Sequence, residues 1–328
     1  MRVGILGTGS FLPKRTVGNQ ELAAATGVTP EWIERKTGIL ERRYAEGEQA
    51  ASDLAAEAGR RALENAGVRP AELTWIIVAT STPDQPPTAA VVQRLLGADR
   101  AAAFDVNAVC AGFVVALRAG VCMALEDGRP GGRTLVIGSD VYSRVVDPSD
   151  RRTAPLFGDG AGAVVLGPVA EAGGFLGGSV ATDSRLLDLI GIEAGGSRQP
   201  SSSDTLARGG HYFRMRGREV RDYVTRELPR AVHDLLTDLS VPPEEIRHFI
   251  PHQANGAMLT DLWGHLGLPN AHLHMPVTRH GNTGAASIPL ALDHAHRSGR
   301  LEAGELVMLA GFGGGMTMGT SLISWGDR

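Results

Sequence analysis

The chain has 328 residues, of which 43% are hydrophobic and 21% are charged, so it has the composition of a globular protein with a full core rather than of a disordered tail. This length allows two domains or one large domain built from two halves. The formal net charge is −4, which lacks the basic excess that a nucleic-acid-binding or anionic-membrane-binding protein needs, and we expect neither partner.

Strand-like apolar runs alternate with helix-like windows along the chain. The predicted strands are Arg2–Leu6, Trp75–Ala79, Ala102–Val106, Thr134–Gly138, Gly162–Leu166, His248–Ile250, Leu306–Ala310 and Thr317–Ser324. The predicted helices are Ser52–Ala66, Ala111–Leu125, Arg218–Leu239, Gly256–Leu266 and Ser287–Ser298. This alternation predicts α/β layering. The Ser- and Gly-rich segment Gly195–Gly210 predicts a surface loop.

A faint internal repeat suggests that one α/β unit occurs twice. The matched segments are Trp75–Thr80 with His248–His252, Phe104–Cys110 with Val277–Asn282, and Leu135–Gly138 with Leu306–Leu309. All three pairs share one interval of roughly 170 residues, although a chance alignment of short apolar strands is the alternative. We therefore expect an N-terminal half at 1–170 that carries a cysteine and a C-terminal half at 171–328 that carries a histidine and an asparagine. Cys110 and Asn282 would then occupy equivalent loops that face each other.

The two cysteines, Cys110 and Cys122, do not form a disulfide framework. They lie on one predicted helix in positions that make pairing awkward, which fits a reducing compartment. The stretch Met1–Pro13 is too short and too broken by glycine to predict a signal peptide. No apolar run approaches the ~18–20 residues of a membrane span, so we expect a cytoplasmic protein with no membrane association.

Cys110 is a candidate nucleophile. It follows a predicted strand and opens a predicted helix, where the helix dipole and free amide donors favour a thiolate. The small neighbours Ala111 and Gly112 leave room for a substrate. Cysteine is also among the residues most often fully buried, so a structural role is the alternative. Cys122 is predicted to be a core residue.

His252 and Asn282 are candidate partners for that cysteine. His252 lies in Pro251–Asn255, just past a predicted strand, and Asn282 lies in the glycine-framed run His280–Ser287. Open α/β sheets bind ligands at such strand ends. A single histidine is more often structural, and an asparagine often caps a helix. Cysteine, histidine and asparagine on separate strand ends nevertheless match the requirements of thiol-based catalysis.

Three glycine-rich runs have different interpretations. In Gly311–Gly319, consecutive glycines after a strand can direct backbone N–H groups at an anion, although a plain turn is the alternative. Gly158–Gly162 precedes a strand, which predicts tight packing rather than a phosphate-binding loop. Gly7–Leu12 begins like a dinucleotide-binding fingerprint, but it lacks the third glycine and a following helix, so we exclude that function.

Two histidine pairs and a run of arginines are further candidate sites. The pairs His272 with His274 and His294 with His296 match no strong zinc pattern, so no metal is predicted. The arginine run, which we define as Arg214, Arg216, Arg218, Arg221 and Arg226, predicts either a solvated face or a docking patch for an acidic or phosphorylated partner.

Taken together, these residues resemble the β-ketoacyl-acyl carrier protein synthase III family of the thiolase superfamily. The resemblance spans nearly the whole chain and rests on Glu31–Ile33, Lys36–Ile39, Phe104–Asn107, Cys110–Phe113, Asp147–Arg151, Phe157–Gly162, Pro251–Asn255, Gly281–Thr283 and Phe312–Gly315. It implies an α/β fold, a thiolase-like five-layer αβαβα sandwich of two duplicated halves, usually assembled as a homodimer.

The resemblance also implies a role for each site residue. Cys110 would take an acyl group from coenzyme A (CoA), with no permanently bound cofactor. His252 and Asn282 would hydrogen-bond the thioester carbonyl of malonyl-acyl carrier protein as it loses carbon dioxide. The backbone N–H groups of Cys110 and Gly314 would form the oxyanion hole for the second step, and Phe312 would act as a gate between the two half-reactions.

Further residues resemble the family's substrate-binding positions. Those implied for CoA and its pantetheine arm are Trp32, Lys36, Arg151, Gly217 and Asn255. Pro86 matches the region that ends the acyl pocket across the dimer interface.

Several positions depart from the family pattern. Lys36 replaces a frequent arginine, so a bidentate phosphate contact becomes a point charge. Ala257 stands where a basic residue often faces the carrier protein, whereas Arg218 and Arg221 stand where asparagine and phenylalanine are more usual. We therefore expect the docking surface to have moved to the arginine run. Together with Pro86, these changes argue against a housekeeping role in fatty-acid synthesis and favour a pathway-specific starter enzyme of polyketide synthesis, although the sequence alone does not separate the two pathways.

Two other functions stay open. The chain could transfer an acyl group to a hydroxyl or a carrier thiol without condensation, although Asn282 favours condensation because simple transfer has no enolate for it to stabilise. It could also be a silent scaffold subunit. The intact set of Cys110, His252 and Asn282 argues against a scaffold, which needs none of them.

Overall fold

The computed structural model describes residues 2–126, 132–169 and 173–326. Its strands are β1 (Arg2–Phe11), β2 (Arg15–Gly18), β3 (Glu41–Tyr44), β4 (Leu73–Ala79), β5 (Ala102–Val106), β6 (Arg133–Val141), β7 (Asp159–Val169), β8 (Gly174–Thr182), β9 (Ile190–Ile192), β10 (Phe213–Met215), β11 (Ile246–Pro251), β12 (His272–Leu273), β13 (Leu306–Gly313) and β14 (Thr317–Ser324). Its α-helices are α1 (Asn19–Thr26), α2 (Pro30–Thr37), α3 (Ala51–Ala66), α4 (Thr88–Leu96), α5 (Gly112–Glu126), α6 (Ser203–Ala207), α7 (Gly217–Asp238), α8 (Gly256–Trp263), α9 (Val277–His280) and α10 (Ser287–Arg297).

Two five-stranded mixed sheets have the same topology. The first sheet has the order β1-β7-β6-β4-β5, and the second has β8-β14-β13-β11-β12. In the first sheet β4 runs parallel to β5 and β6, while β7 is antiparallel to its neighbours. The second sheet repeats this pattern, with β11 parallel to β12 and β13 and with β14 antiparallel. This correspondence agrees with the duplication that the sequence interval predicts.

Helices separate and cover the two sheets. Helices α5 and α10 lie between them, and their apolar side chains, such as Phe113, Leu117 and Leu292, form one core with residues of both sheets. Helices α3 and α4 pack on the outer face of the first sheet, and α7 and α8 pack on the outer face of the second. The result is five layers in the order α, β, α, β, α, so the predicted fold class is confirmed.

Helix α5 corrects two expectations from the sequence. The segment Val109–Glu126 has a mean hydropathy of 1.8 and is long enough to span a membrane, so the expectation that no apolar run approaches that length is wrong. Half of this segment is buried. Phe113 and Leu117 lie in the core between the sheets, which identifies a core helix. Cys122 is exposed rather than core, because the helical repeat places it on the same side as the exposed Arg118.

Two further local expectations are wrong. The predicted loop Gly195–Gly210 contains the short helix α6, which Ser202 caps by accepting the N–H of Thr205 at 3.2 Å. The segment preceding Asn282 is the short helix α9 rather than a strand, and the strand equivalent to β5 is the two-residue edge strand β12.

Paired glycines let the central helix layer approach the first sheet. Gly138 and Gly162 are neighbours across β6 and β7. A Cβ at Gly162 would lie 2.5 Å from the backbone nitrogen of Leu290, and one at Gly138 would lie 2.3 Å from the carbonyl oxygen of Ala285. The tight packing predicted for Gly158–Gly162 is therefore confirmed. It brings the turn at the start of α10 directly onto the first sheet.

We predict that Gly162→Ala lowers the free energy of unfolding by about 1–3 kcal/mol, because the added methyl group would overlap the backbone of α10. Denaturant titration measures this loss. Gly264→Ala is the matched control, since a Cβ there has no heavy atom within 4 Å and the backbone has an ordinary helical φ of −63°. Equal unfolding midpoints for the two variants would contradict the prediction.

Candidate active site

Cys110 lies in the tight 3-10 turn Val109–Ala111 that leads into α5. Val109 has a φ of 48°, a left-handed conformation that is strained for a β-branched residue and that costs about 1–3 kcal/mol. Cys110 is free and only 7% exposed. The chain therefore keeps a strained turn at the position where it holds this sulfur.

The buried thiol is protonated in the resting site. Burial, together with the nearby carboxylate of Asp140, raises the pKa of Cys110 to about 12, although hydrogen bonds from the Tyr142 hydroxyl and the Cys110 backbone act in the opposite direction. The expectation that the helix N-terminus produces a thiolate is therefore wrong for the resting site. Loss of solvation outweighs the favourable helix end.

Tyr142 is a site residue that the sequence analysis missed. Its hydroxyl oxygen lies 4.0 Å from the sulfur of Cys110 and 2.8 Å from the hydroxyl oxygen of Ser81. Tyr142 is 1% exposed, and burial raises its pKa well above the usual value for tyrosine. The sequence signal that indicates Tyr142 is its position directly after the end of strand β6. His252 has the same position after β11.

Asp140 anchors this part of the site from a fully buried position. Its carboxylate accepts hydrogen bonds from Thr80, Ser81 and Thr82 after β4, and from the backbone N–H of Ala285 at 2.8 Å. Burial raises the pKa of Asp140, while these donors lower it. The backbone N–H groups of Ser81, Thr82 and Ala285 can only donate, so these three hydrogen bonds favour the ionised form against the effect of burial.

His252 is neutral and held by one well-defined partner. Its Nδ1 lies 2.7 Å from the Ser287 hydroxyl oxygen, which also accepts the backbone N–H of Gln253 at 3.2 Å. When Ser287 donates to Nδ1, the ring proton is on Nε2 and is available to a substrate. Burial lowers the pKa of His252 to about 3, and a hydrogen bond to the backbone of Gly284 only partly opposes this effect.

Asn282 is fixed by the other half of the fold. Its backbone N–H donates to the carbonyl of Leu156 at 2.8 Å, and its carbonyl accepts the N–H of Gly158 at 2.9 Å. Its side-chain oxygen accepts the N–H of Gly284 at 2.9 Å, and its amide nitrogen lies 3.5 Å from the carbonyl oxygen of Ala254. The amide is therefore positioned between the two halves, with 5% of the residue exposed.

The turn Gly284–Ala286 joins these groups into one site. Gly284 contacts both the His252 ring and the Asn282 side chain, while Ala285 donates to the carboxylate that lies next to the Cys110 thiol. The predicted convergence of the cysteine, histidine and asparagine on a shared centre is thus consistent with the structure.

The glycine run at the end of β13 lies against the backbone of Cys110. A Cβ at Gly313 would lie 2.7 Å from the backbone nitrogen of Cys110, so only glycine lets this segment pass so close to that amide. Gly314 follows directly in the turn Gly314–Met316. Phe312 is 2% exposed, and its ring centre lies 5.1 Å from that of His252. These positions are compatible with the expected oxyanion-hole and gating roles.

A cavity of about 510 Å³ leads from the surface to this site. Its inner end is formed by the buried Phe312 and Asn282, and its outer part contains all the residues that the family resemblance implied for CoA binding: Trp32, Lys36, Arg151, Gly217 and Asn255. Exposed cationic side chains dominate the mouth, and these are Lys36, Arg151, Arg152, Arg218 and Arg221. A cationic entrance with an apolar channel suits a phosphorylated substrate with a narrow arm.

Local capping explains how the mouth is built. Helix α2 starts at Thr29, whose hydroxyl accepts the N–H of Trp32 at 3.1 Å. Asn255 caps α8 by accepting the N–H of Met258, and its amide nitrogen lies 3.3 Å from the carbonyl oxygen of Lys36. Asn255 is therefore the N-cap of α8, and it joins α2 to α8 across the tunnel entrance.

Other predicted residues lie outside the tunnel or have surface partners. Pro86 is exposed in the loop before α4 and does not line the cavity, so its expected role in an acyl pocket across a dimer interface stays a prediction. The arginine run is largely paired on the surface, since Arg216 lies near Glu219, Arg221 near Asp261 and Arg226 near Glu227.

Comparison with known proteins identifies the family. Two family models match, the 3-oxoacyl-[acyl-carrier-protein (ACP)] synthase III model at residues 104–184 and its C-terminal model at residues 236–325. The acetoacetyl CoA synthase NphT7 of Streptomyces sp. (strain CL190) is 54% identical over 99% of both chains. The β-ketoacyl-[acyl-carrier-protein] synthase III of Caldanaerobacter subterraneus subsp. tengcongensis is 41% identical over 98% of this chain and 97% of the relative.

Solved structures agree with this assignment. The 3-oxoacyl-[acyl-carrier-protein] synthase III from Aquifex aeolicus VF5 superposes with a TM-score of 0.88 at 35% identity, covering 98% of this chain and 100% of the other. The priming β-ketosynthase from the R1128 polyketide biosynthetic pathway superposes with a TM-score of 0.91 at 33% identity, covering 99% and 97%. The chain therefore belongs to the β-ketoacyl-acyl carrier protein synthase III family.

Proposed function

We propose that Cys110 is acylated by an acyl-CoA and that the acyl group is then condensed, with loss of carbon dioxide, with a malonyl thioester to give a 3-oxoacyl thioester. The observation that carries this proposal is that the turn Gly284–Ala286 links the Asn282 amide, the neutral His252 ring and the carboxylate near the Cys110 thiol, while a cavity with a cationic mouth ends at Asn282 and Phe312. Membership of the family makes the chain a ketoacyl synthase, which is a condensing enzyme primed by acyl-CoA.

In the first half-reaction, the sulfur of Cys110 attacks the acyl-CoA carbonyl. The resting pair is a thiol and a neutral imidazole. In the tautomer whose Nδ1–H donates to the Ser287 hydroxyl, Nε2 of His252 has a free lone pair, so it can take the thiol proton and return it to the departing CoA thiolate. The acyl group moves from one sulfur to the other, and free CoA leaves with the proton. The backbone N–H groups of Cys110 and Gly314 would stabilise the negative oxygen of the tetrahedral intermediate.

In the second half-reaction, the malonyl carboxylate leaves as carbon dioxide and its electron pair forms an enolate. Nε2–H of His252 and the amide of Asn282 would donate to the developing enolate oxygen, and one such donor is typically worth about 2.7–4 kcal/mol. The enolate carbon then attacks the carbonyl of acyl-Cys110. The Cys110 thiolate departs and takes up a proton from solvent, which restores the thiol.

Condensation accounts for the site better than the alternatives do. A simple acyl transfer to a hydroxyl or thiol forms no enolate, so it would not need the amide of Asn282, which hydrogen bonds to both halves of the fold hold in place. A scaffold subunit would not need a buried thiol and a neutral imidazole that are linked through one turn.

The malonyl carrier has two candidates. Malonyl-acyl carrier protein follows from the family description. Malonyl-CoA is favoured by helix α8, whose charged residue Asp261 is acidic and pairs with Arg221 at 2.6 Å, while Ala257 leaves no basic side chain at the α8 position where the family often has one. The 54% identical relative is itself called an acetoacetyl CoA synthase.

Assembly, location and pathway also belong to this proposal. Strand β5 is an edge of the first sheet, and a second copy of the chain could extend the sheet there, which supports the expected homodimer. A cytoplasmic location and a role in priming fatty-acid or polyketide synthesis follow from the same family assignment.

We predict that Cys110→Ala abolishes acyl transfer to the protein, because no sulfur remains at the inner end of the tunnel. Intact-protein mass spectrometry after incubation with acyl-CoA measures the transfer.

We also predict that Asn282→Ala is still acylated but condenses about 100- to 1,000-fold more slowly, since it loses one enolate donor. The rate of product formation from a malonyl thioester measures this condensation.

Cys122→Ala is the matched control for the first variant, because it removes the exposed cysteine and leaves Cys110 in place. It should be acylated like the unaltered chain. Acylation of Cys110→Ala, or unimpaired condensation by Asn282→Ala, would contradict the proposed roles.

We predict that the saturated acylation rate is independent of pH between ~5.5 and ~8.5, because a thiol with a pKa of about 12 and an imidazole with a pKa of about 3 both stay in their reactive neutral forms there. Rapid-quench mass spectrometry across this range measures the rate. A rise of about tenfold per pH unit would mean that a preformed thiolate attacks without help from His252. A loss of rate below pH ~6.5 would mean that His252 titrates normally, and either result would contradict the prediction.

We predict that the acylated enzyme condenses malonyl-CoA with a kcat/KM at least as high as that for malonyl-acyl carrier protein, because α8 offers the carrier protein no basic side chain. Parallel assays with the two malonyl donors and the same acyl-CoA measure the ratio. Ala257→Arg should raise the rate with malonyl-acyl carrier protein and leave the rate with malonyl-CoA unchanged. Product formation that requires the carrier protein would favour malonyl-acyl carrier protein instead.

A further inference from the structure

A second cavity, of about 410 Å³, is lined by basic side chains and shares no lining residue with the tunnel. No acidic side chain lines it within the part of the chain that the structure describes. Its volume lies in the range of small-molecule sites. We call it the basic cavity, and the basic side chains that line it are His272, His274, Arg279, His280, His294 and Arg300.

Arg300 and His272 place two basic groups side by side in this cavity. Nη1 of Arg300 donates to Nε2 of His272 at 3.0 Å. A guanidinium can only donate, so Nε2 accepts and the proton of the neutral His272 ring is on Nδ1. Partial burial and the charge of Arg300 lower the pKa of His272. Arg300 pairs with no carboxylate among the described residues, so its charge is not balanced by the protein.

His274 extends this arrangement into the protein. It is buried, and its Nε2 lies 3.0 Å from Nδ1 of His248, whose Nε2 lies 2.8 Å from the Glu305 carboxylate. The carboxylate accepts from His248, so His248 accepts from His274, and Nδ1 of His274 has the lone pair that can take a proton. Burial and the surrounding basic groups lower the pKa of His274 to about 3. His272 and His274 are therefore neutral near pH 7, and a nearby negative charge would favour their protonation.

The acidic groups near the basic cavity already have partners. Glu305 accepts from His248 and from the backbone N–H of Glu302 at 2.8 Å, and Glu41 pairs with Arg279 at 3.7 Å. Basic groups are therefore in excess around the cavity. The charged and titratable groups that surround its histidines are Glu41 and Arg43 on β3, His248 on β11, Arg279 and His280 on α9, His294 on α10, and Arg300 and Glu305 between α10 and β13.

We propose that the basic cavity binds a dianion of the phosphate type, either free phosphate or the phosphate group of a small ester. Its oxygens would accept from the guanidinium of Arg300 and from Nδ1–H of His272, and such charge-assisted hydrogen bonds are strong. A metal ion does not fit, because Arg300 would repel it. The described residues also contain no group of three His, Cys, Asp or Glu side chains placed to hold one. This binding does not depend on the proposed acylation of Cys110.

The first test measures the binding of sulfate by nuclear magnetic resonance of isotope-labelled histidine rings. Sulfate is tetrahedral like phosphate and keeps its charge near neutral pH, so protons taken up on binding enter the protein. The arginines of the tunnel mouth could also attract sulfate, but no histidine of the described chain lines the tunnel, so the ring signals report the basic cavity. Sulfate should shift the signal that His272→Gln removes, with a dissociation constant of about 1 mM or lower.

Sulfate should bind more tightly at lower pH. A bound dianion stabilises the charged form of the histidines and raises their pKa, so binding takes up protons. This coupling is reciprocal, so the dissociation constant should fall at least about threefold from pH ~8 to pH ~6. Inorganic phosphate and glycerol 3-phosphate, compared at one pH, distinguish the two sources. The tighter of the two probes identifies free phosphate or a phosphate ester as the ligand class, and binding of either supports the site.

The second test changes the permanent charge in the basic cavity. Arg300→Gln should weaken sulfate binding about 10- to 100-fold, because it removes a charge-assisted donor. Arg300→Lys keeps the charge and should lose less affinity than Arg300→Gln. Arg230→Gln is the matched control, because it removes an exposed arginine of α7 that does not line the basic cavity. It should leave the dissociation constant unchanged.

Three results would overturn the inference. The first is a His272 signal that does not move at about 50 mM sulfate. The second is equally tight binding by Arg300→Gln and the unaltered chain. The third is a response confined to histidines outside the basic cavity, such as the exposed His233 on α7. None of these results concerns acyl transfer to Cys110, so the proposed function would stand.

Discussion

The buried carboxylate of Asp140 is the interaction on which the rest of the site depends. It accepts hydrogen bonds from the segment after β4 in the first half and from the N–H of Ala285 at the start of α10 in the second half. It also holds Ser81, which in turn holds Tyr142 beside the sulfur of Cys110. A charge buried this deeply is stable only while its donors surround it, so the two halves must dock in one register for the site to exist. The glycines that let α10 approach the first sheet make this docking possible.

Burial also sets the chemistry of the resting site. It raises the pKa of Cys110 and lowers that of His252, so both groups rest in neutral forms rather than as a thiolate–imidazolium pair. A neutral imidazole serves both half-reactions in the proposed mechanism, first as a proton acceptor and then as a hydrogen-bond donor to the enolate. The same low-polarity surroundings strengthen the donors that face a developing oxyanion.

Much of the fold and of the site could be predicted from the sequence, because both depend on regular patterns. Long buried strands such as β4 and β13 have clear apolar runs, and the repeated interval predicts the shared sheet topology. Cys110 and His252 are recognisable because each follows a strand, and Asn282 is recognisable because glycines flank it closely. Short edge elements such as β12 and α9 lack an internal repeat long enough to detect, so they were missed or misassigned.

The remaining features depend on three-dimensional packing that no local pattern encodes. The protonation of Cys110 follows from burial by residues distant in the chain, which the favourable helix position alone did not reveal. Tyr142 faces the sulfur only because Phe157, Phe213 and Ser81 converge on it from separate segments.

The most direct test of the account is a crystal structure of the enzyme after reaction with acetyl-CoA in the absence of a malonyl donor. We expect an acetyl group on the sulfur of Cys110, with its oxygen within hydrogen-bond distance of the backbone nitrogens of Cys110 and Gly314. An unmodified Cys110, or an acetyl oxygen directed away from those two nitrogens, would contradict it.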